Sequence, residues 1–77
     1  MTSPRSAIKL MAKHLRKERK SQGITQTELA HLAGVSLNFL SQLESGKSTV
    51  RLDKVLQVFH TLGLEFHIRY GQSGISL

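Results

Sequence analysis

The sequence predicts a mainly α-helical fold: a four-helix domain followed by a single C-terminal β-strand. Three observations carry this. Apolar residues recur at helical spacing in four successive segments. A glycine stands at the end of each segment (Gly23, Gly34, Gly46 just past the third, and Gly63). Over residues 64–70 the pattern then changes to alternation of apolar and polar side chains, which is a strand period.

The elements follow in order. Residues 1–5, with Pro4, show no periodicity and read as a loose arm. Ser6 is the expected cap of a first helix over 6–22, with Ile8, Met11, Ala12 and Leu15 on its apolar face. Ile24 reads as an apolar plug between helices. Thr25, with Glu28 three residues on, is a capping box for a second helix over 26–33. Leu29, Ala30 and Ala33 form the narrow apolar face of that helix, and Ala30 is small enough for a steep crossing by a neighbour. Gly34 can take a left-handed conformation and end the helix sharply. Ser36 can cap a third helix over 37–45, where Leu40 and Leu43, with Val35 just before, supply the facing apolar positions. A loop through Lys47, Ser48 and Thr49 leads to a fourth helix over 52–62, with Leu52, Val55, Leu56, Phe59 and Leu62 as its expected core face. Residues 6–63 thus form one domain, and residues 71–77 are expected to be a disordered tail.

The strand raises a question of its own. The segment Leu64-Glu65-Phe66-His67-Ile68-Arg69-Tyr70 favours strand by residue type as well as by period, yet the chain offers no second strand. A lone strand exposes a full edge of backbone donors and acceptors. One solution is pairing with the same strand of a second copy across a two-fold axis, which makes Leu64, Phe66, Ile68 and Tyr70 a homodimer interface. Another is addition to the sheet of a different partner protein. A third is an irregular tail lying over its own core.

Composition narrows the function. The 77 residues suffice for one small domain, without cysteine to staple it. No apolar run approaches a membrane span or a signal peptide, so a cytoplasmic location is expected. Eleven Lys and Arg against five acids give a net charge of +6, and seven of the eleven lie in the first twenty residues, opposed only by Glu18. That distribution suits a polyanion. The inventory for catalysis is empty: no thiol, no phosphate-cradling glycine-rich loop, no carboxylate pair at useful spacing. His14, His31, His60 and His67 make no metal-ligating pair on a shared helix, so neither a metal nor a cofactor is expected, and the chain reads as a non-enzyme.

Residues 26–45, QTELAHLAGVSLNFLSQLES, are two short helices joined by a tight glycine turn. This is the arrangement of a helix-turn-helix, which lays its second helix in the major groove of DNA. The stretch resembles the phage repressors and the wider Xre-type regulators, with Gly23-Ile24-Thr25-Gln26 before it and Leu43-Glu44-Ser45-Gly46-Lys47 after it. Residues 46–56, running on through Leu62-Gly63-Leu64, look like the loop, fourth helix and strand of HipB-like antitoxins. That resemblance implies a homodimeric repressor of its own operon that also binds a kinase-type toxin. The chain departs from the pattern in lacking a long or acidic C-terminal tail.

By geometry, the third helix is the reader. Ser36, Leu37, Asn38, Ser41 and Gln42 lie near its N-terminus or one turn later, within reach of base edges. Asn38 and Gln42 share a face at i, i+4, and each amide can pair bidentately with adenine; Leu37 can touch a thymine methyl. Phe39 is open between core packing, a dimer contact and base stacking. Phosphate contacts are expected from Thr25 and the start of the second helix, and from Ser45 and Lys47 after the third. Arg16, Lys17 and Lys20 on the first helix are further candidates, although each also suits a solvated surface. The resemblance implies that Gln26 touches a phosphate and braces the reader, and that Arg19 and Glu44 form a structural salt bridge between the first and third helices.

Overall fold

The computed structural model describes residues 3–68. Within them the chain forms α1 (Pro4–Ser21), α2 (Gln26–Ala33), α3 (Leu37–Glu44) and α4 (Leu52–Thr61). Most helix starts are written locally. Thr25 Oγ1 accepts the Glu28 N–H at 3.1 Å, while Glu28 Oε1 accepts the Thr25 N–H at 3.0 Å, so the capping box satisfies two orphan donors at once. Ser36 Oγ accepts the Phe39 N–H at 3.0 Å at the start of α3.

The start of α1 differs from expectation. Ser3, not Ser6, is the cap: its hydroxyl accepts the Ser6 N–H at 3.1 Å. Pro4 occupies the first turn, where its missing N–H has no intrahelical partner to lose and its fixed φ suits the helix. Pro4 and Arg5 therefore belong to α1 rather than to a loose arm.

The turn between α2 and α3 depends on Gly34, whose φ of +71° is the left-handed conformation. The α2 C-terminus also receives a long-range cap, since Gln57 Nε2 of α4 donates to the Ala33 carbonyl at 3.1 Å. At the other end of the domain, Gln22 Nε2 donates to the Leu62 carbonyl at 2.9 Å and ties the end of α1 to the end of α4.

α2 packs against both α3 and α4, and α1 lies on α3. Leu15, Leu29, Leu40, Leu43, Val55 and Val58 are the largest fully buried side chains, so every helix contributes to one core. The buried face of α4 is rotated from the one expected. Val55, Val58, Phe59 and Leu62 form the inward stripe at i, i+3, i+4, i+7, whereas Leu52 is 65% exposed and Leu56 41% exposed. Val58 is wholly buried because the stripe centres on 55 and 59, on the side that α2 covers.

Residues 64–68 do not form a strand; no strand occurs among the described residues. A single chain supplies no ladder partner, and the segment instead follows its own core. The Leu64 N–H donates to the Phe59 carbonyl at 2.9 Å. Leu64 packs against the core, and the Phe66 ring lies 4.7 Å from that of Phe59, tilted at 43°. Ile68 is fully exposed. Tyr70 of the expected interface and the expected tail 71–77 lie outside the described residues. Among the described residues, no helix is long and apolar enough to cross a membrane.

Candidate nucleic-acid interface

The expected reader residues share the outer side of α3. Ser36, Leu37, Asn38 and Ser41 are exposed, and Gln42 is half-buried. Their backbone is held from behind by Leu40 and Leu43, both fully buried, so the outward residues ride on a fixed helix. Phe39 turns the other way: it is half-buried against the core, with Lys54 Nζ of α4 5.8 Å from its ring centroid. Asn38 carries no side-chain hydrogen bond within the described residues, leaving both its donors and its acceptor to a ligand. The Gln42 side-chain oxygen Oε1 accepts from Lys47 Nζ at 3.4 Å, a long contact on the surface that a competing donor can replace.

One carboxylate joins three helices behind this surface. Arg19 of α1 donates to Glu44 of α3 through Nε at 2.7 Å and Nη2 at 3.0 Å, a bidentate pair. Its remaining Nη1 donates to the Ile24 carbonyl at 2.9 Å, in the connection to α2. Gln26, the first residue of α2, donates through Nε2 to Glu44 Oε1 at 3.1 Å. The pair is almost dry, with side-chain exposures of 10% for Arg19 and 3% for Glu44. Within the free protein, then, Gln26 is fixed by Glu44, and its carbonyl oxygen is left for other partners.

The expected phosphate-binding groups lie on elements next to α3. The start of α2 presents backbone N–H groups and the positive end of the helix dipole beside exposed Thr25. Ser45 follows α3, its hydroxyl donating to the Gln42 carbonyl at 2.8 Å, and Lys47 is exposed just beyond. Arg16, Lys17 and Lys20 are exposed on α1 and line a groove of about 530 Å³ between that helix and the end of α3. Two further lysines of this groove, Lys9 and Lys13, belong to the basic N-terminal stretch but are not among the expected phosphate contacts. The signal was present, since 9, 13, 16, 17 and 20 stand at i, i+4, i+7, i+8 and i+11, one stripe of a helix. Gln57, the long-range cap of the α2–α3 turn, had no local signal at all.

Two carboxylates are held below their ordinary range. Glu28 is lowered chiefly by the Thr25 backbone hydrogen bond, and Asp53 chiefly by the Arg51 side chain beside it, 2.7 Å away. Both mark the charged form as the native partner at a helix start. His14, His31, His60 and His67 are all exposed, and among the described residues no group of three or more His, Cys, Asp or Glu side chains is placed to hold a metal ion.

A left-handed glycine turn between two short helices, the second presenting a polar outer face and an apolar inner one, is the architecture of the helix-turn-helix proteins. The chain belongs to that family, whose model matches residues 15–68. It is similar to the HTH-type transcriptional regulator y4mF of Sinorhizobium fredii, itself uncharacterized, with 52% identity over 50 residues. That match covers 65% of this chain and 66% of the relative, so the chain spans just under two thirds of that protein's length.

Proposed function

We propose that the chain is a sequence-specific DNA-binding transcriptional repressor in which α3 reads the major groove. The observation that carries this reading is the outer face of α3: Ser36, Leu37, Asn38, Ser41 and Gln42 face outward on a helix whose opposite side is locked into the core. The identity to an HTH-type transcriptional regulator supports it. Asn38 and Gln42 act as readers of base edges, each good contact being worth ~1–3 kcal/mol of discrimination. Thr25, Gln26, Ser45 and Lys47, with Arg16, Lys17 and Lys20, hold phosphates and set the register.

The repressor works as a homodimer on an inverted repeat whose half-site centres lie about 34 Å apart, one helical turn. Exposed Leu52 and Leu56 on α4, with Phe66 and Ile68 after it, support a dimer through these elements, since large apolar side chains open to water favour a protein partner. The likeness of residues 46–64 to HipB-like antitoxins extends the reading to an autorepressor paired with a kinase-type toxin. A second reading rests on the same exposed apolar residues: an interaction module whose main task is to restrain a partner protein. A solitary or phage-type repressor with no toxin shares all the DNA chemistry, and only the neighbouring genes separate it.

The test is capture of fragmented host DNA by the purified protein at physiological salt, followed by sequencing. Enrichment of one inverted repeat upstream of the protein's own gene is the expected result. Salt-sensitive binding everywhere, with no enriched repeat, refutes specific repression and favours the interaction module.

A further inference from the structure

The groove between α1 and the end of α3 extends well past the residues assigned to phosphate binding above. Its α1 wall carries five cations, Lys9, Lys13, Arg16, Lys17 and Lys20. At 1.5 Å per residue the stripe from Lys9 to Lys20 runs about 16 Å. Its opposite wall is Glu44, Ser45 and Gly46, the last residue of the reader helix and the two that follow it. The single acid in the groove is already neutralised, because both oxygens of Glu44 accept hydrogen bonds from Arg19 and one also from Gln26. Among the described residues none of the five cations forms an ion pair; the three pairs there are Arg19–Glu44, Arg51–Asp53 and His67–Glu65. The groove is therefore a concentrated, uncompensated positive field that begins where the reader ends.

The backbone is shaped to keep it so. Gly46 has a φ of +84°, and a Cβ built there would stand 3.3 Å from Lys9 Cγ and 3.7 Å from Lys9 Cα. The absence of a side chain at Gly46 lets the N-terminal half of α1 lie against the loop, which fixes Lys9 beside the end of α3.

We propose that Lys9 and Lys13 bind the sugar–phosphate backbone of the same duplex that α3 reads, so that the groove is a second phosphate track flanking the half-site. This rests on the DNA-binding reading above and deepens it. Double-stranded DNA carries one charge per 3.4 Å of axis on each strand, so a 16 Å stripe faces several phosphates. The contacts are blind to sequence: they add affinity and fix orientation but discriminate nothing.

The experiment measures binding of the duplex enriched by the wild-type protein, and of a scrambled duplex, as a function of salt. Lys9→Gln/Lys13→Gln is the main variant; glutamine keeps the Cβ and Cγ that Lys9 lays on Gly46 and suits a helix. The slope of log K against log salt should become shallower by about 1.8, at 0.9 per phosphate contact, equally on both duplexes. Lys13→Gln alone, at an exposed position on α1, should give about half that change and carries the test if the double variant melts early. Lys54→Gln, on α4 and outside the groove, removes the same charge elsewhere and should leave the slope unchanged. An unchanged slope in the groove variants, or an equal change in Lys54→Gln, overturns the proposal. A wild-type protein that prefers no duplex refutes the DNA reading itself, a result distinct from either.

Discussion

The carboxylate of Glu44 makes a sharp test of how this domain is held together. Replacing it with alanine leaves the Arg19 guanidinium in a site where only 10% of its side chain meets solvent, with the Ile24 carbonyl as its remaining partner. Breaking one side of a buried pair typically costs about 3–5 kcal/mol, because the surviving charge is stranded. Gln26 loses its acceptor in the same step, which adds about 1 kcal/mol for a surface-accessible hydrogen bond. Domains hold about 0.05–0.15 kcal/mol per residue, so a 77-residue chain has roughly 4–12 kcal/mol in all. Glu44→Ala should therefore remove a third or more of the total, read as a fall in the urea midpoint at constant m. Arg19→Met should be similarly damaging, while Arg19→Met/Glu44→Leu should recover most of the loss, since an apolar pair of similar volume needs no desolvation. Two single losses below 1 kcal/mol each, or a double variant equal to their sum, would refute the argument that the pair is a coupled buried unit.

Three further outcomes follow from particular contacts. Gly34→Ala forces a β-carbon into a φ of +71° and should destabilise by about 1–2 kcal/mol without abolishing the fold, because the nearest foreign atom to that carbon, Gln57 Nε2, is an unforced 3.6 Å away; thermal melting reads it. Glu28 and Asp53 are more acidic folded than unfolded, so the stability they contribute is complete above their ordinary values near pH 4 and is lost as pH falls below them. A pH series of midpoints should decline below about pH 4, and Glu28→Gln should flatten part of that decline. Gln42→Ala should weaken binding to the selected operator by about 1–3 kcal/mol and leave scrambled DNA nearly unaffected, in a titration at fixed salt; equal losses on both would remove Gln42 from the readers.

The parts of the fold that were legible in the sequence are those specified over three or four residues. The Thr25–Glu28 box, the Gly34 turn and the Ser36 cap each close a ring within one helical turn, so their spacing alone locates the ends of α2 and the start of α3. The start of α1 was misplaced because two serines compete there: Ser3 followed by Pro4 is the stronger signal, and the Ser6 hydroxyl merely accepts from Ser3 Oγ at 2.9 Å. The face of α4 is not decided by the sequence because six apolar residues cover too wide an arc for one contact, and only packing on α2 decides that Val58 goes in and Leu56 stays out. The strand expected over 64–70 needed a second edge, and periodicity cannot report whether a partner exists. Arg19 and Glu44 stand 25 residues apart, beyond any local pattern; a resemblance suggested their pairing, and packing of α1 on α3 brings them together.

The helix caps described above bear also on how quickly the domain assembles. Each of the first three helices starts on a side-chain cap within its own first turn, so its start forms without waiting for the rest of the chain. Helical domains dominated by such short-range contacts fold in microseconds to milliseconds. Among the contacts that must wait are Arg19 to Glu44, 25 residues apart, and Gln22 to the Leu62 carbonyl, 40 residues apart. Synthesis runs at about 5–20 residues per second, so the chain is ready almost as soon as its last helix is released. Folding of the domain itself therefore adds no appreciable delay, and pairing into the proposed dimer is a separate step that depends on concentration.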